Sequence, residues 1–349
     1  MKKRARRKRE HIRYSLMLER RLKRDIFSDI TLLHNCLSEV NLDEIDISTQ
    51  LQGLKLKKPI IINAITGGFP LAFTINRQMA KIARELDLAM AVGSQRIALR
   101  DKSAQKSFKV VREENPEGII FANIGADAST EEVLEVVDMI KADAVQIHLN
   151  IPQEIVMAEG RKKFEGTIEK ISKIASEVKV PVIVKEVGFG IAKEEAKILA
   201  DCGIKIIDIG GAGGTDFIAI ENMRNKKNAV PVLEGWGIPT PISLIEVLSE
   251  VGDRVDVIAS GGLKTGLDVA KSLALGAKAA GFAGFVLYKL MKGGPSALRK
   301  YLERVERELI YSMAMVGARN ISDLRKRPLI IEGRTYNWLK FRGINAKFR

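Results

Sequence analysis

Residues 255–282 read VDVIASGGLKTGLDVAKSLALGAKAAGF, and this stretch decides the fold. Val255–Ala259 is a short run of Val, Ile and Ala, the composition of a strand buried on both faces. Ser260-Gly261-Gly262 ends it in turn residues. Gly266–Leu275 then repeats apolar side chains at helical spacing, and Ala279–Phe282 is a second apolar run. Strand, glycine loop, helix and strand make one βα unit, and such units build parallel sheets.

The same alternation extends upstream to about residue 58. Further runs lie at Pro59–Ala64, Leu88–Val92, Ile119–Asn123, Ala144–His148, Val182–Lys185 and Ile206–Ile209. Helical patterns separate most of them, at Ile75–Leu86, Glu131–Ile140, Thr167–Glu177 and Lys193–Cys202. Eight strands with helices between them are the number that closes a barrel. The expected fold is α/β, a (β/α)8 TIM barrel with N-terminal and C-terminal extensions; an open doubly wound sheet is the rival. Residues 1–57 precede the barrel as a basic arm and a loop-rich segment, and 58–293 form the barrel. Residues 216–253 are a long insertion after strand six, of the kind that covers an active face. Residues 294–349 carry a helix, Ala297–Met315, and a basic tail.

Composition narrows the function. The chain has 349 residues, 46% of them hydrophobic, enough for a large core. Two cysteines without metal-like spacing fit a reducing, cytoplasmic setting. No apolar run reaches the roughly 18 residues of a membrane span. The net charge of +14 sits at the ends: residues 1–24 hold 12 Lys/Arg against 2 acids, and 319–349 hold 9 against 2. The body between them is slightly acidic. Basic ends suit a phosphate or an acidic partner. Nucleic acid is disfavoured, because aromatic content is 5% and no base-stacking motif accompanies the basic run.

Chemistry in a barrel comes from the C-terminal ends of its strands. Glycine clusters follow strands six (210–214), seven (Gly261, Gly262) and eight (Ala280-Gly281). Glycine lets backbone N–H groups approach a phosphate, and a helix N-terminus adds to the attraction. Ser94, Asn123, Gln146 and Lys185 end strands two to five. Together they offer donors, acceptors and one cation to a flavin ring, whose N1 becomes anionic on reduction. A second cluster holds His148, Asn150, Gln153 and Glu154, where Glu154 suits Mg2+ completed by waters and substrate phosphates. No His/Cys set suits zinc. Arg7, Lys8, His11 and Arg96 could clamp a diphosphate.

In order along the chain, RKREHI (7–12), TGG (66–68), GSQR (93–96), ANIGA (122–126), QIHLN with QE (146–154) and VKEVGFG (184–190) occur. GGT (213–215), EGWGIPT (234–240) and GGLKTGLDVAKSLALGA (261–277) follow. This ordered set resembles the type 2, FMN-dependent isopentenyl-diphosphate isomerases over nearly the whole chain. The resemblance implies that FMN is bound by Ala64, Ile65, Thr66, Ser94, Asn123, Lys185 and Thr215. Gly261, Gly262, Ala280 and Gly281 would hold mainly its phosphate. It implies substrate contacts from Arg7, Lys8, Ser94, Arg96, His148, Asn150 and Gln153, with Glu154 on Mg2+. Gln153, His148 and Lys185 are the candidate catalytic residues. Three positions depart from the family pattern: Ile65 for Met, Gly210 for Ser, and Gly284-Phe285 for a Pro-containing segment.

The implied reaction is the 1,3-allylic rearrangement of isopentenyl diphosphate to dimethylallyl diphosphate in isoprenoid biosynthesis. Reduced FMN would act as acid and base, Mg2+ would sit on the diphosphate, and NADPH would reduce the flavin. The arm would close over the site, and the family suggests a tetramer or octamer. The rival enzyme class is an FMN barrel oxidoreductase, which needs a His/Arg pair or a catalytic cysteine loop. Cys202, in Asp201-Cys202-Gly203 at a helix end, is poorly placed for that.

Overall fold

The computed structural model describes residues 2–19 and 25–345, with the side chains of the first helix described from Arg6 on. The basic residues at 20–24 and 346–349 named above lie outside the described residues. Eight strands form one closed barrel: β1 (Ile60–Ile62), β2 (Ala89–Ala91), β3 (Ile120–Gly125), β4 (Ala144–His148), β5 (Val182–Lys185), β6 (Ile206–Asp208), β7 (Asp256–Ser260) and β8 (Ala279–Phe282). All neighbours are parallel, and β8 pairs with β1. That pairing closes the sheet, so the chain is a (β/α)8 barrel and the open-sheet rival falls.

Residues alternate between the two faces of each strand. Ile61, Ala89, Ala91, Phe121, Ala144, Ile183, Ile206, Ile258 and Ala279 meet inside the barrel, and Leu51 and Leu56 of the hairpin Thr49–Leu51/Leu54–Leu56 join them. Their alternates, such as Ile60, Ile62, Ile120, Val145, Val184 and Val257, pack under the helices. Continuing the inward positions toward the strand ends gives Asn63, Asn123, Gln146, Lys185, Asp208 and Ser260, all buried. The interior is therefore apolar below and polar at the top.

Helix starts follow local chemistry. Capping boxes join Ser129 to Glu132 and Thr265 to Asp268, and Pro70 sits in the first turn of Pro70–Glu85, a position where its missing N–H costs nothing. That helix starts before the apolar periodicity begins at Ile75. The helix after β8 starts at Gly284 and runs to Met315, kinked at Gly294 (φ 72°) ahead of Pro295, so the helical expectation at Ala297 covered only its second limb. Thr240–Val251 packs against Lys193–Asp201 and β7 as a member of the helix ring. The excursion over the mouth is thus 216–239, containing the helix Phe217–Arg224.

The extensions meet each other. Ile30–Leu32 pairs antiparallel with Leu329–Ile331. The helix Gly333–Phe341 is followed by Arg342, whose Nε and Nη2 donate to the buried Glu246 carboxylate at 3.0 and 3.1 Å, beside Trp338 Nε1 at 2.7 Å. Burial works to raise the Glu246 pKa, but the donors from Arg342 and Trp338 outweigh it and leave the carboxyl below its usual range. A depressed acid stabilises the fold above its unfolded pKa and loses that contribution as pH falls through the folded value. Arg342→Ala strands a buried carboxylate and should cost about 1–3 kcal/mol, less than a fully buried pair because Arg342 is partly exposed. The melting-temperature deficit of this variant should be full at neutral pH and shrink once pH falls below the glutamate range. A deficit independent of pH would contradict the assignment.

Candidate active site

A cavity of about 610 Å³ opens at the C-terminal mouth of the barrel, within the range of small-molecule sites. Its floor is the polar layer: Asn63, Asn123, Lys185 and Ser260 face it. Asp208, wholly buried, lies just behind. Its carboxylate accepts from Asn63 Nδ2 at 2.7 Å and from the Ser260 hydroxyl, and it pairs with Lys185 Nζ at 3.2 Å. Gln146 Nε2 donates to Asn63 Oδ1 at 2.8 Å, and Asn123 Nδ2 to Gln146 Oε1 at 2.9 Å. His148 Nδ1 lies 2.9 Å from Asn123 Oδ1. Gln146 does not face the cavity; the expectation that it meets a ligand directly is corrected to a position behind the wall.

Beside this floor lie Ala64, Ile65, Thr66 and Ser94, from the ends of β1 and β2. The loops after β6 and β7 form another wall with Thr215, Gly261 and Gly262. They interlock backbone to backbone. Gly261 has φ +107° and Gly262 φ +85°, and a Cβ on either would lie 2.1 Å from Gly211 O or 2.3 Å from Gly213 O. Only glycine satisfies both the dihedral and the contact. Gly281 and the start of the Gly284–Met315 helix complete this wall. Ala280 does not line the cavity: its side chain faces the opposite way, into the outer core, so the residue that reaches the site from β8 is Gly281. Lys264 Nζ pairs with Glu19 Oε1 at 3.3 Å here; burial pushes the Glu19 carboxyl up, and Lys264 pulls it back.

The roof is the helix Lys2–Glu19, which presents Arg7, Lys8, His11, Ile12, Ser15 and Glu19 to the cavity at helical spacing. Lys8 Nζ donates to the carbonyls of Gly67 and, at 3.2 Å, Ser94. Arg96, across the mouth, is paired with Asp127 at 2.8 Å and Glu132 at 3.2 Å. Glu221 receives His11 Nε2 at 2.8 Å and Gln153 Nε2 at 3.0 Å. Burial works to raise the Glu221 pKa, but His11, Gln153 and Arg224 prevail and hold it low. Arg224 binds Glu10 at 3.1 Å, Glu159 at 2.7 Å, and Glu221. One guanidinium thus ties the arm, the loop after β4 and the excursion together.

His148 lies on the cavity wall. Burial pushes its pKa down to about 4, with Lys185, Arg96 and Lys8 adding to the effect and Asp127 opposing it, so the ring is neutral at physiological pH. Asn150 Nδ2 donates to Glu154 Oε1 at 3.0 Å, and the Arg161 N–H to Oε2 at 2.6 Å. Both oxygens keep a free lone pair. Among the described residues no group of three or more His, Cys, Asp or Glu could hold a metal. An ion here would rest on Glu154, waters and ligand oxygens, a pattern that fits Mg2+. The floor and glycine wall also fit FMN: mixed donors and acceptors around one lysine, with close-packed backbone at a helix start.

Asp208, Asn63, Glu221, Arg224 and Lys264 were not assigned site roles from the sequence. Asp208 hides in the apolar run 206–209, and only two-residue alternation, which puts it on the face of Lys185, exposes it. Arg224 carries no local signal, because its partners lie up to 214 residues away. Glu186, whose role the sequence leaves open, accepts from the Val187 and Phe189 N–H groups. It braces that turn and does not line the cavity; burial pushes its pKa up to about 8.

The sequence profile of the FMN-dependent dehydrogenase family matches residues 138–331. Among solved structures, a lactate oxidase of Pediococcus acidilactici is similar with a TM-score of 0.69 at 19% identity, covering 92% of this chain and 87% of its own. A flavocytochrome b2 gives 0.69 at 19% identity, with 89% and 78% covered. These two establish the fold. Isopentenyl-diphosphate delta-isomerases are much nearer in sequence. That of Bacillus licheniformis is 47% identical over 98% of this chain and 97% of its own length. That of Symbiobacterium thermophilum is 40% identical over 98% and 96%. The chain is therefore an enzyme and belongs to the isopentenyl-diphosphate delta-isomerase family, in its type 2 class built on the FMN-dependent barrel.

Proposed function

We propose that the enzyme converts isopentenyl diphosphate to dimethylallyl diphosphate, with FMN on the polar floor and the diphosphate beneath the N-terminal arm. The observation that carries this reading is one cavity with two anion-suited ends. The interlocked glycines, Thr215 and the helix start at Gly284 suit a cofactor phosphate. Arg7, Lys8 and Arg96 suit a second, more highly charged anion. Between them lie Gln153, His148 and the floor, where a small alkene would rest.

In this reading Ala64, Ile65, Thr66, Ser94, Asn123 and Lys185 hold the flavin ring, and Gly261, Gly262 and Gly281 face its phosphate end. Reduced FMN bound there would supply a proton donor and acceptor beside the alkene. Lys185, fixed by Asp208, places a cation against the floor. His11 and Gln153 are held by Glu221, which fixes the Gln153 amide above the floor. Asn150 orients Glu154, which would hold Mg2+ and lessen the charge of the diphosphate. Arg7, Lys8 and Arg96 bind that remote anion, and the binding energy positions an apolar tail with little else to grip. The reading includes NADPH as the donor that reduces the flavin. It includes a homo-oligomer, tetramer or octamer, which the family resemblance suggests. It also includes a cytoplasmic setting, supported by two free thiols, Cys36 and Cys202. No described helix is long and apolar enough to cross a membrane.

Removing Lys8 deletes charge-assisted hydrogen bonds of about 1.5–3 kcal/mol each. Lys8→Ala should therefore raise KM for isopentenyl diphosphate about ten- to a hundredfold with a smaller effect on kcat. Gln153→Ala should lower kcat more than it changes KM. Wild-type steady-state constants in both variants would remove these two residues from the mechanism.

The reaction class is tested anaerobically with isopentenyl diphosphate, FMN, Mg2+ and NADPH or dithionite. Dimethylallyl diphosphate should accumulate over many turnovers without matching consumption of reductant, and chelation of Mg2+ should suppress it. Net oxidation of a substrate would instead favour an oxidoreductase, and no product from reduced, FMN-loaded enzyme would count against the proposal.

A further inference from the structure

We propose that Gln146, which touches no part of the cavity, is a positioning residue. In a side-chain ladder anchored at Asp208, it fixes the His148 imidazole with its proton on Nδ1 and a bare Nε2. The ladder runs Asp208, Asn63, Gln146, Asn123, His148, and every link lies between 2.7 and 2.9 Å.

Its direction follows from the donors and acceptors available. Lys185 and the Ser260 hydroxyl hold Asp208 as an acceptor. Asn63 must therefore turn its NH2 to Asp208 and its carbonyl away. A second, independent donor agrees, because the Ala64 N–H reaches Asn63 Oδ1 at 2.9 Å. The Asn63 carbonyl requires the NH2 of Gln146, and the Gln146 carbonyl requires the NH2 of Asn123. The Asn123 carbonyl then faces His148 Nδ1, and only an N–H satisfies it. Turning over Asn63 or Gln146 sets donor against donor on one side and acceptor against acceptor on the other, and turning over Asn123 sets its carbonyl against that of Gln146. In a buried layer each mismatch is costly, so the ladder holds one polarity as a unit.

The consequence falls on the ring nitrogen that faces the ligand. His148 Nε2 has no hydrogen-bond partner among the described residues, and the ring lines the cavity. Burial keeps the ring neutral at physiological pH. His148 then presents a lone pair, so it takes a hydrogen bond or a proton at Nε2 from whatever the cavity binds. That it meets substrate rests on the function proposed above; the tautomer does not.

The test is solid-state NMR of the FMN-loaded enzyme labelled with 15N at histidine, without substrate, at neutral pH. The chain has 3 histidines, and the His148 signals are those lost in His148→Gln. The neutral ring with Nδ1–H and bare Nε2 should exceed the other tautomer by roughly ten to one or more. Gln146→Met removes the acceptor that orients Asn123 and should bring the two tautomers within about threefold of each other. Gln146→Glu, held as the neutral acid in this buried layer, can donate its O–H to Asn63 Oδ1 and accept from Asn123 at its carbonyl, so it should keep the parent excess. An Nε2–H ring in the parent overturns the proposal, as does identical behaviour of the Met and Glu variants. Should Gln146→Met fail to fold, the parent spectrum alone decides. Because no substrate is present, failure of the isomerase reading would leave this result unchanged.

Discussion

Everything at the mouth of this barrel depends on the wholly buried carboxylate of Asp208. A carboxylate in such a place is costly unless it has a counter-ion and hydrogen bonds. Lys185, Ser260 and Asn63 meet that need from three other strands. Satisfying Asp208 fixes the one cation of the floor and, through Asn63, the orientation of the amides around it. The strands below contribute Ile, Ala and Phe to the same interior, so the polar layer cannot share its hydrogen bonds downward. It must close on itself or on a ligand.

A second constraint acts from above. The arm, the loop after β4 and the excursion 216–239 come from distant parts of the chain, and Arg224 and Glu221 join them. Arg96 is likewise held by Asp127 and Glu132. These cations are already paired with acids, which keeps them oriented and limits their mutual repulsion. An arriving diphosphate would exchange one set of acceptors for a more highly charged one. The floor is borne on the barrel strands and closed by buried hydrogen bonds, whereas the roof is assembled from ion pairs over a separate helix. A cofactor held below and a substrate that must enter and leave above suit that division.

Much of the fold was legible because it rests on local patterns. Eight apolar runs mark eight strands, and regular apolar spacing marks most of the helices between them, though the short helices Lys106–Glu114 and Gly333–Phe341 are not among those read from the sequence. Boundaries slipped where capping or a kink decided them, as at Pro70 and Gly284. Thr240–Val251 was absorbed into an insertion because it is buried around much of its surface and so lacks a polar stripe. In the site, the residues with a motif were legible: the glycine loops, Lys185, His148 and Glu154. Those acting through others were not. Gln146 reads as a ligand contact because strand-end polarity alone cannot separate a residue facing the cavity from one bonding behind its wall. Ala280 and Gly281 look alike as strand-end small residues, but in a strand one residue reverses the face, so only Gly281 lines the cavity and the Ala280 side chain packs outward.

Alternation also explains why the polar layer belongs to the fold as much as to the chemistry. Asn63, Asn123, Gln146, Lys185, Asp208 and Ser260 all occupy inward positions one step beyond an apolar inward residue. In register, Asn123 lies beside Gln146 and Lys185 beside Asp208. A shift of either pairing by one residue would bury Ile124 or Val184 against the cavity and turn the polar partners into the helix layer. Correct register is therefore enforced twice, by the apolar interior below and by the hydrogen bonds above. The same six side chains that penalise a slipped barrel are those that set the polarity of the floor. In this chain, the closure of the barrel and the orientation of its cofactor-facing groups are one event.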